Sequence, residues 1–292
     1  MFNLVRMNDM AFNRLISTVL LGFSTLLWSC GNTDHTIKMK GSDTEVNLAV
    51  NLAEAYNKTD PTFSMAISGG GSGLGITSLL NGQADIANSS RPLTEEEQAL
   101  FEKKNMPLKT VVFAEDATAF VVHSDNPITE IDIKTLSKIM SGQVENWKSV
   151  SGQDVPINIY GRQSSSGTYS FIRKKLKIAY SQKAKEMTGN AQILEAIKID
   201  KSGIGYVGAG YISKKIQDNK GIKVLKIKND ADSNAISPLD PTAIKNRLYF
   251  FQRPLYQFIP EKSWAKVLSF IQFETKGEGT KIIENSGYYL IQ

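Results

Sequence analysis

Apolar and polar positions in this chain switch repeatedly between a two-residue and a helical period. Residues 36–40 alternate as a short strand, Gly41-Ser42-Asp43-Thr44 interrupts with a polar turn, and apolar residues at helical spacing then run to Asn57. The unit recurs in residues 63–67, the turn Ser68-Gly69-Gly70-Gly71-Ser72-Gly73 and a helix from about Leu74. It recurs again in 157–160, the turn 161–168 and a helix over 169–178. Strand, turn and helix in repeated succession predict an α/β architecture with largely parallel sheets covered on both faces.

Between these units, residues 85–91 read as a strand ending in a polar turn, and Thr94 and Glu97 have the spacing of a capping box that opens a helix. Two extended apolar runs, 110–114 and 117–123, leave no room for a helix between them and suit strands that pass from one lobe into another. A helix over 133–140, strands at 204–208 and 222–227, a polar loop over 229–241, a return strand within 247–258 and a helix over 264–274 complete the pattern. The expected organisation is a discontinuous first lobe, residues 38–116 with 251–292, and a second lobe over 117–250.

The N-terminal residues read as a targeting segment. Arg6 and Arg14 precede an apolar stretch, 15–28, too short for a good membrane span, and Leu27-Trp28-Ser29-Cys30 resembles a bacterial lipobox. That resemblance implies a signal peptide over 1–29, lipidation of Cys30 and a tether over 30–37 holding the protein on the outer, periplasmic face of a membrane. Cys30 is the only cysteine, which excludes an intramolecular disulfide and a cysteine metal cluster. The formal charge is +5, but the lysines are dispersed along the sequence, so no nucleic-acid partner is expected. With two histidines, His35 and His123, and no Gly-x-Ser-x-Gly elbow, a zinc site or hydrolytic triad lacks material, and neither an enzyme, a metal nor a cofactor is expected.

The turns carry the chemistry. Each places hydroxyls and unpaired backbone N–H groups at a helix N-terminus, where the helix dipole favours an anion. The run Gly69–Gly75 has no following lysine and does not keep the Gly-x-Gly-x-x-Gly spacing, which argues against a nucleotide. Arginine is scarce beyond the leader, and two of the five, Arg91 beside Ser90 and Arg162 before Ser166-Gly167-Thr168, sit in serine-rich turns. An oxyanion that keeps a proton also needs an acceptor. Asp43 in the first turn and Asp116 between the extended runs are the candidates.

These residues, with Asn146-Trp147, Gly203-Ile204-Gly205-Tyr206 and Arg253-Pro254-Leu255-Tyr256, occur in the order seen in PstS-like proteins, the substrate-binding components of bacterial phosphate ABC transporters. The resemblance spans nearly the whole chain after the leader. It implies a type II periplasmic-binding-protein fold, a monomer whose two α/β lobes close on inorganic phosphate and deliver it to an ABC permease. Phosphate contacts are then expected from Ser42, Asp43, Thr44, Ser72, Ser90, Arg91, Arg162, Ser166, Gly167 and Thr168. Where some members carry an aspartate after the Gly-rich loop, this chain has Ser90, and the proton acceptor falls to Asp43 or Asp116. The alternatives are a receptor of the same fold for molybdate, tungstate or sulfate, a secreted phosphate-ester hydrolase, and a lipoprotein used as a sensor or adhesin.

Overall fold

A computed structural model describes residues 36–213 and 220–291. The expected signal peptide, Cys30 and most of the expected tether lie outside the described residues. β1 (Ile37–Gly41), β2 (Met65–Ser68) and β3 (Ile86–Ser89) run parallel with β1 in the middle, and each is followed by a helix: α1 (Val46–Thr59), α2 (Ser72–Leu80) and α3 (Glu95–Lys103). The capping box is formed, with Glu97 N–H donating to Thr94 Oγ1 at 3.2 Å and Thr94 N–H to Glu97 Oε2 at 2.9 Å.

β4 (Leu108–His123) is a single strand of 16 residues where the pattern suggested two. Glu115 and Asp116 do not interrupt it, because both stay paired to the returning strand. Then follow β5 (Glu130–Asp132), α4 (Ile133–Met140), α5 (Lys148–Ser151), β6 (Asn158–Arg162), α6 (Gly167–Leu176), β7 (Lys185–Met187) and α7 (Asn190–Ile199). β8 (Gly203–Gly208), α8 (Ala209–Ser213), β9 (Ile222–Val224), β10 (Lys226–Lys228), α9 (Pro241–Lys245), β11 (Gln252–Pro260), α10 (Glu261–Glu274) and α11 (Glu278–Asn285) complete the chain.

Among the described residues the main sheet runs β2-β1-β3-β11-β4-β8-β6-β7, with β9 also on β4, and β5 and β10 make a separate pair. The return strand starts at Gln252, later than its apolar run suggests, because the chain still turns at Arg247, whose φ is 55°. The expected strand 222–227 is split: β9 pairs with β4 and β10 with β5, while Leu225 between them is buried. None of the described helices is long and apolar enough to cross a membrane.

Separate cores flank the crossing strands. Met39, Leu52, Ile86, Ala114, Leu255 and Phe270 pack in one. Ala117, Phe120, Trp147, Ile172, Tyr206 and Phe251 pack in another. The core therefore changes between Ala114 and Ala117 on the outgoing strand and between Phe251 and Leu255 on the return. Asp116 and Arg253 occupy those two crossings and are partners in the β4–β11 register.

One buried carboxyl gives a stability prediction. Glu274 is fully buried, and Gln257 Nε2 donates to its Oε2 at 3.1 Å, while Glu274 Oε1 and Gln257 Oε1 have no partner among the described residues. Burial pushes its carboxyl up to about 8, so the folded chain keeps a proton that the unfolded chain loses near 4.5. The associated stability is full below about 4.5 and is lost as pH rises toward about 8, at about 1.4 kcal/mol per pH unit. Glu274→Gln removes this loss, since an amide can both accept from and donate to Gln257. Thermal melts are expected to show the variant gaining on the unchanged protein between pH 5 and pH 8; parallel curves would refute the assignment.

Candidate functional site

Three helix N-termini meet at the crossing strands. The first turn is held by close backbone approach: Ser42 N–H donates to Asn88 O at 2.9 Å, and Gly41, at φ +140°, leaves no room for a side chain against the Asn88 carbonyl. The second is tied to it by Gly71 N–H on Gly41 O at 2.8 Å, so that Ser72 opens α2 beside the first turn. Ser72 Oγ accepts from Ser90 N–H at 3.1 Å, which fixes the end of β3 against the start of α2. The third turn leaves β6 at Arg162 and enters α6 at Gly167, two residues earlier than the apolar period suggests, because Ser166 is the N-cap. Its hydroxyl accepts from Tyr169 N–H at 3.4 Å.

The halves of the molecule touch directly at these turns. Gly73 N–H donates to Ser165 O at 2.9 Å and Gln163 Nε2 to Gly70 O at 2.9 Å. Thr44 Oγ1 and Thr168 Oγ1 lie 3.2 Å apart. A methyl group on Gly167 would collide with the hydroxyls of Ser72 and Ser90. Thr44, Ser72, Ser90, Gly167 and Thr168 thus form one hydroxyl-lined cage, all but closed to solvent.

Arg253 completes it. The arginine is 2% exposed; its Nη1 donates to Thr168 Oγ1 at 3.0 Å, and Nη2 donates to Thr44 Oγ1 at 3.3 Å and to Asp116 Oδ2 at 3.0 Å. The guanidinium lies 5.3 Å from the centre of the Phe171 ring. Asp116 also accepts from Gly210 N–H at 3.2 Å; burial raises its carboxyl, and the Arg253 charge opposes that rise. Arg162 stands beside the cage. Its N–H donates to Tyr206 Oη at 3.0 Å and its Nη2 to Thr188 O at 2.9 Å, while Nη1 faces Asp43 Oδ2 at 3.5 Å. Asp43 itself accepts from Asn190 N–H at 2.7 Å and Asn190 Nδ2 at 3.0 Å.

The structure thus brings together Ser42, Thr44, Ser72, Ser90, Asp116, Gly167 and Thr168, with Arg162, Asp43 and the N-cap Ser166 alongside. It employs Arg91 elsewhere. Both Nη atoms of Arg91 donate to the Glu97 carboxylate at 2.7 Å, so its guanidinium is held by the start of α3 and not by the cage. Sequence reasoning missed Arg253 as a site residue because its partners Thr44 and Thr168 are distant in the chain, although its scarcity as an arginine was a usable signal. It also missed Asn190 and Glu45. Glu45 is fully buried, and burial pushes its carboxyl well above the ordinary range although the neighbouring Ser42 hydroxyl and the Arg253 charge oppose the rise.

Chemically, the cage gathers the hydroxyls, backbone N–H groups and helix starts that suit an oxyanion. Ser90 Oγ and Arg162 Nε are buried donors without partners among the described residues. Arg162 and Arg253 are matched by Asp43 and Asp116, so an anion here would be met chiefly by hydroxyls, backbone N–H groups and helix dipoles. No cluster of three or more metal-ligating side chains occurs among the described residues.

A family model described as a PBP superfamily domain matches residues 30–277. The phosphate-binding protein PstS of Borreliella burgdorferi is 30% identical over 286 residues, covering 94% of this chain and 98% of that protein. Among solved structures, a Clostridium perfringens protein with bound phosphate superposes with a TM-score of 0.79 at 24% identity, covering 88% of this chain and all of the other. An ABC-type phosphate transport receptor from Vibrio cholerae gives 0.64 at 26% identity, covering 87% of this chain and 100% of that one.

Proposed function

We propose, for a chain that belongs to the PstS-like family of the PBP superfamily and has the type II periplasmic-binding-protein fold of two α/β lobes, that it binds inorganic phosphate between those lobes and delivers it to an ABC permease. The observation that carries the reading is the cage itself: Thr44, Ser72 and Ser90 come from one side of the crossing strands, Gly167 and Thr168 from the other, and Arg253 spans them. The lobes are taken as residues 38–116 with 251–292, and 117–250. Charge-assisted hydrogen bonds from both lobes, worth about 1.5–3 kcal/mol each, favour the closed arrangement because only there can one anion receive both sets. The permease can then tell loaded from empty receptor by shape. Lipidation of Cys30 would keep the receptor on the outer side of the membrane, and the protein acts as a monomeric binding protein, not an enzyme.

Arg162→Ala tests the reading at a residue whose Nε has no partner among the described residues. The folded variant is expected to bind phosphate at least about tenfold more weakly, roughly 1.4 kcal/mol, by calorimetric titration. Unchanged affinity would remove Arg162 from the site.

A further inference from the structure

Beside the cage lies a cavity of about 410 Å³ whose lining includes two residues of the cage, Ser90 and Arg253. Lys174, Lys175 and Lys177, from the end of α6 and its C-cap, line one side, and the apolar faces of Phe171, Pro254 and Tyr256 form much of the rest. No carboxylate is among its lining residues. Three lysines close together in the sequence thus stand together on a cleft bounded by elements of both lobes.

The charges of the cage do not reach far. Arg253 is paired to Asp116 at 3.0 Å, Arg162 faces Asp43 at 3.5 Å, and Arg91, on the cavity wall, is bound by Glu97 at 2.7 Å. Each pair presents little net charge to an anion still in solvent. Lys174 and Lys177 differ: both are exposed, and neither has an ion pair among the described residues. Lys175 holds its ammonium 4.7 Å from the Phe250 ring and 6.0 Å from that of Phe171, which keeps a third positive charge at the same edge. A cleft lined by one sign of charge, with low-dielectric walls, concentrates field lines and raises the local concentration of the opposite ion.

We propose that this cavity is an antechamber that gathers small oxyanions such as phosphate and passes them to the cage, with Lys174 and Lys177 as its steering charges. The inference rests on the phosphate reading of the cage. Steering acts on encounter, so it predicts an effect on association and its salt dependence, not on the contacts that hold the bound anion.

The test is stopped-flow binding of inorganic phosphate to the purified protein at low and high ionic strength. Reversing both charges, with Lys174→Glu and Lys177→Glu, is expected to slow association at low salt by at least about tenfold, to leave dissociation unchanged, and to lose the deficit at high salt. Lys174→Arg with Lys177→Arg, which keeps the charge, is expected to associate as fast as the unchanged protein. Equal association rates for the reversed variant and the unchanged protein at low salt would overturn the proposal and leave the cage reading intact, as would a deficit that persists at high salt. Absence of phosphate binding by the unchanged protein would overturn both.

Discussion

Gly167→Ala is expected to leave the fold intact and to weaken phosphate binding by at least about a hundredfold, roughly 2.7 kcal/mol. Gly167 is the first residue of α6, in ordinary helical backbone, so alanine meets no conformational penalty there. The added methyl group meets instead the hydroxyls of Ser72 and Ser90, which reach Gly167 from the opposite side of the crossing strands. Two relaxations are open to the variant. The lobes can separate, which breaks the cage, or the hydroxyls can rotate away, which withdraws two donors from the anion. Both lower affinity far more than stability, since each gives up only a few hydrogen bonds at the turns and leaves the two cores packed. Calorimetric titration beside a thermal melt checks this, and an alanine variant that melts normally and binds phosphate as tightly as the unchanged protein would refute the geometry of the cage.

Arg253→Met is expected to damage both stability and binding. It leaves Asp116, with no exposed surface, without its countercharge at the crossing strands, and stranding one member of a buried pair typically costs about 3–5 kcal/mol. It also removes the donors to Thr44 and Thr168, which fix the facing hydroxyls of the two sides. Replacing both members, with Arg253→Met and Asp116→Leu, separates the effects: urea melts are expected to recover most of the stability, while phosphate binding stays lost. Recovery of binding in the double variant would mean that Arg253 serves the fold and not the anion.

Local signals carried much of this far into the sequence. The Gly/Ser/Thr turns at 41–44, 68–73 and 161–168 stand where helices α1, α2 and α6 begin, because small hydroxyl residues and glycine serve both a tight turn and an unpaired helix start. The Thr94–Glu97 box formed as its spacing predicts. That same box redirected Arg91. A glutamate fixed at the start of α3 lies within reach of Arg91, and two hydrogen bonds at 2.7 Å outweigh its adjacency to Ser90. The contacts of Arg253 were illegible for the opposite reason. Its partners are 209 residues away at Thr44, 85 at Thr168 and 137 at Asp116; the β4–β11 register sets Asp116 opposite it, while Thr44 and Thr168 arrive on the turn after β1 and on α6. Asp43 is also held by Asn190 at the start of α7, a pairing between segments 147 residues apart that no local pattern announces.

The measurement that bears most directly on the central claim is calorimetric titration of the protein, freed of bound ligand, first with inorganic phosphate and then with sulfate. The cage predicts saturable one-to-one binding of phosphate and weaker binding of sulfate, which carries no proton for a buried carboxylate to accept. A folded protein that gives no heat with phosphate, or binds molybdate, tungstate or sulfate in preference to it, would contradict the account.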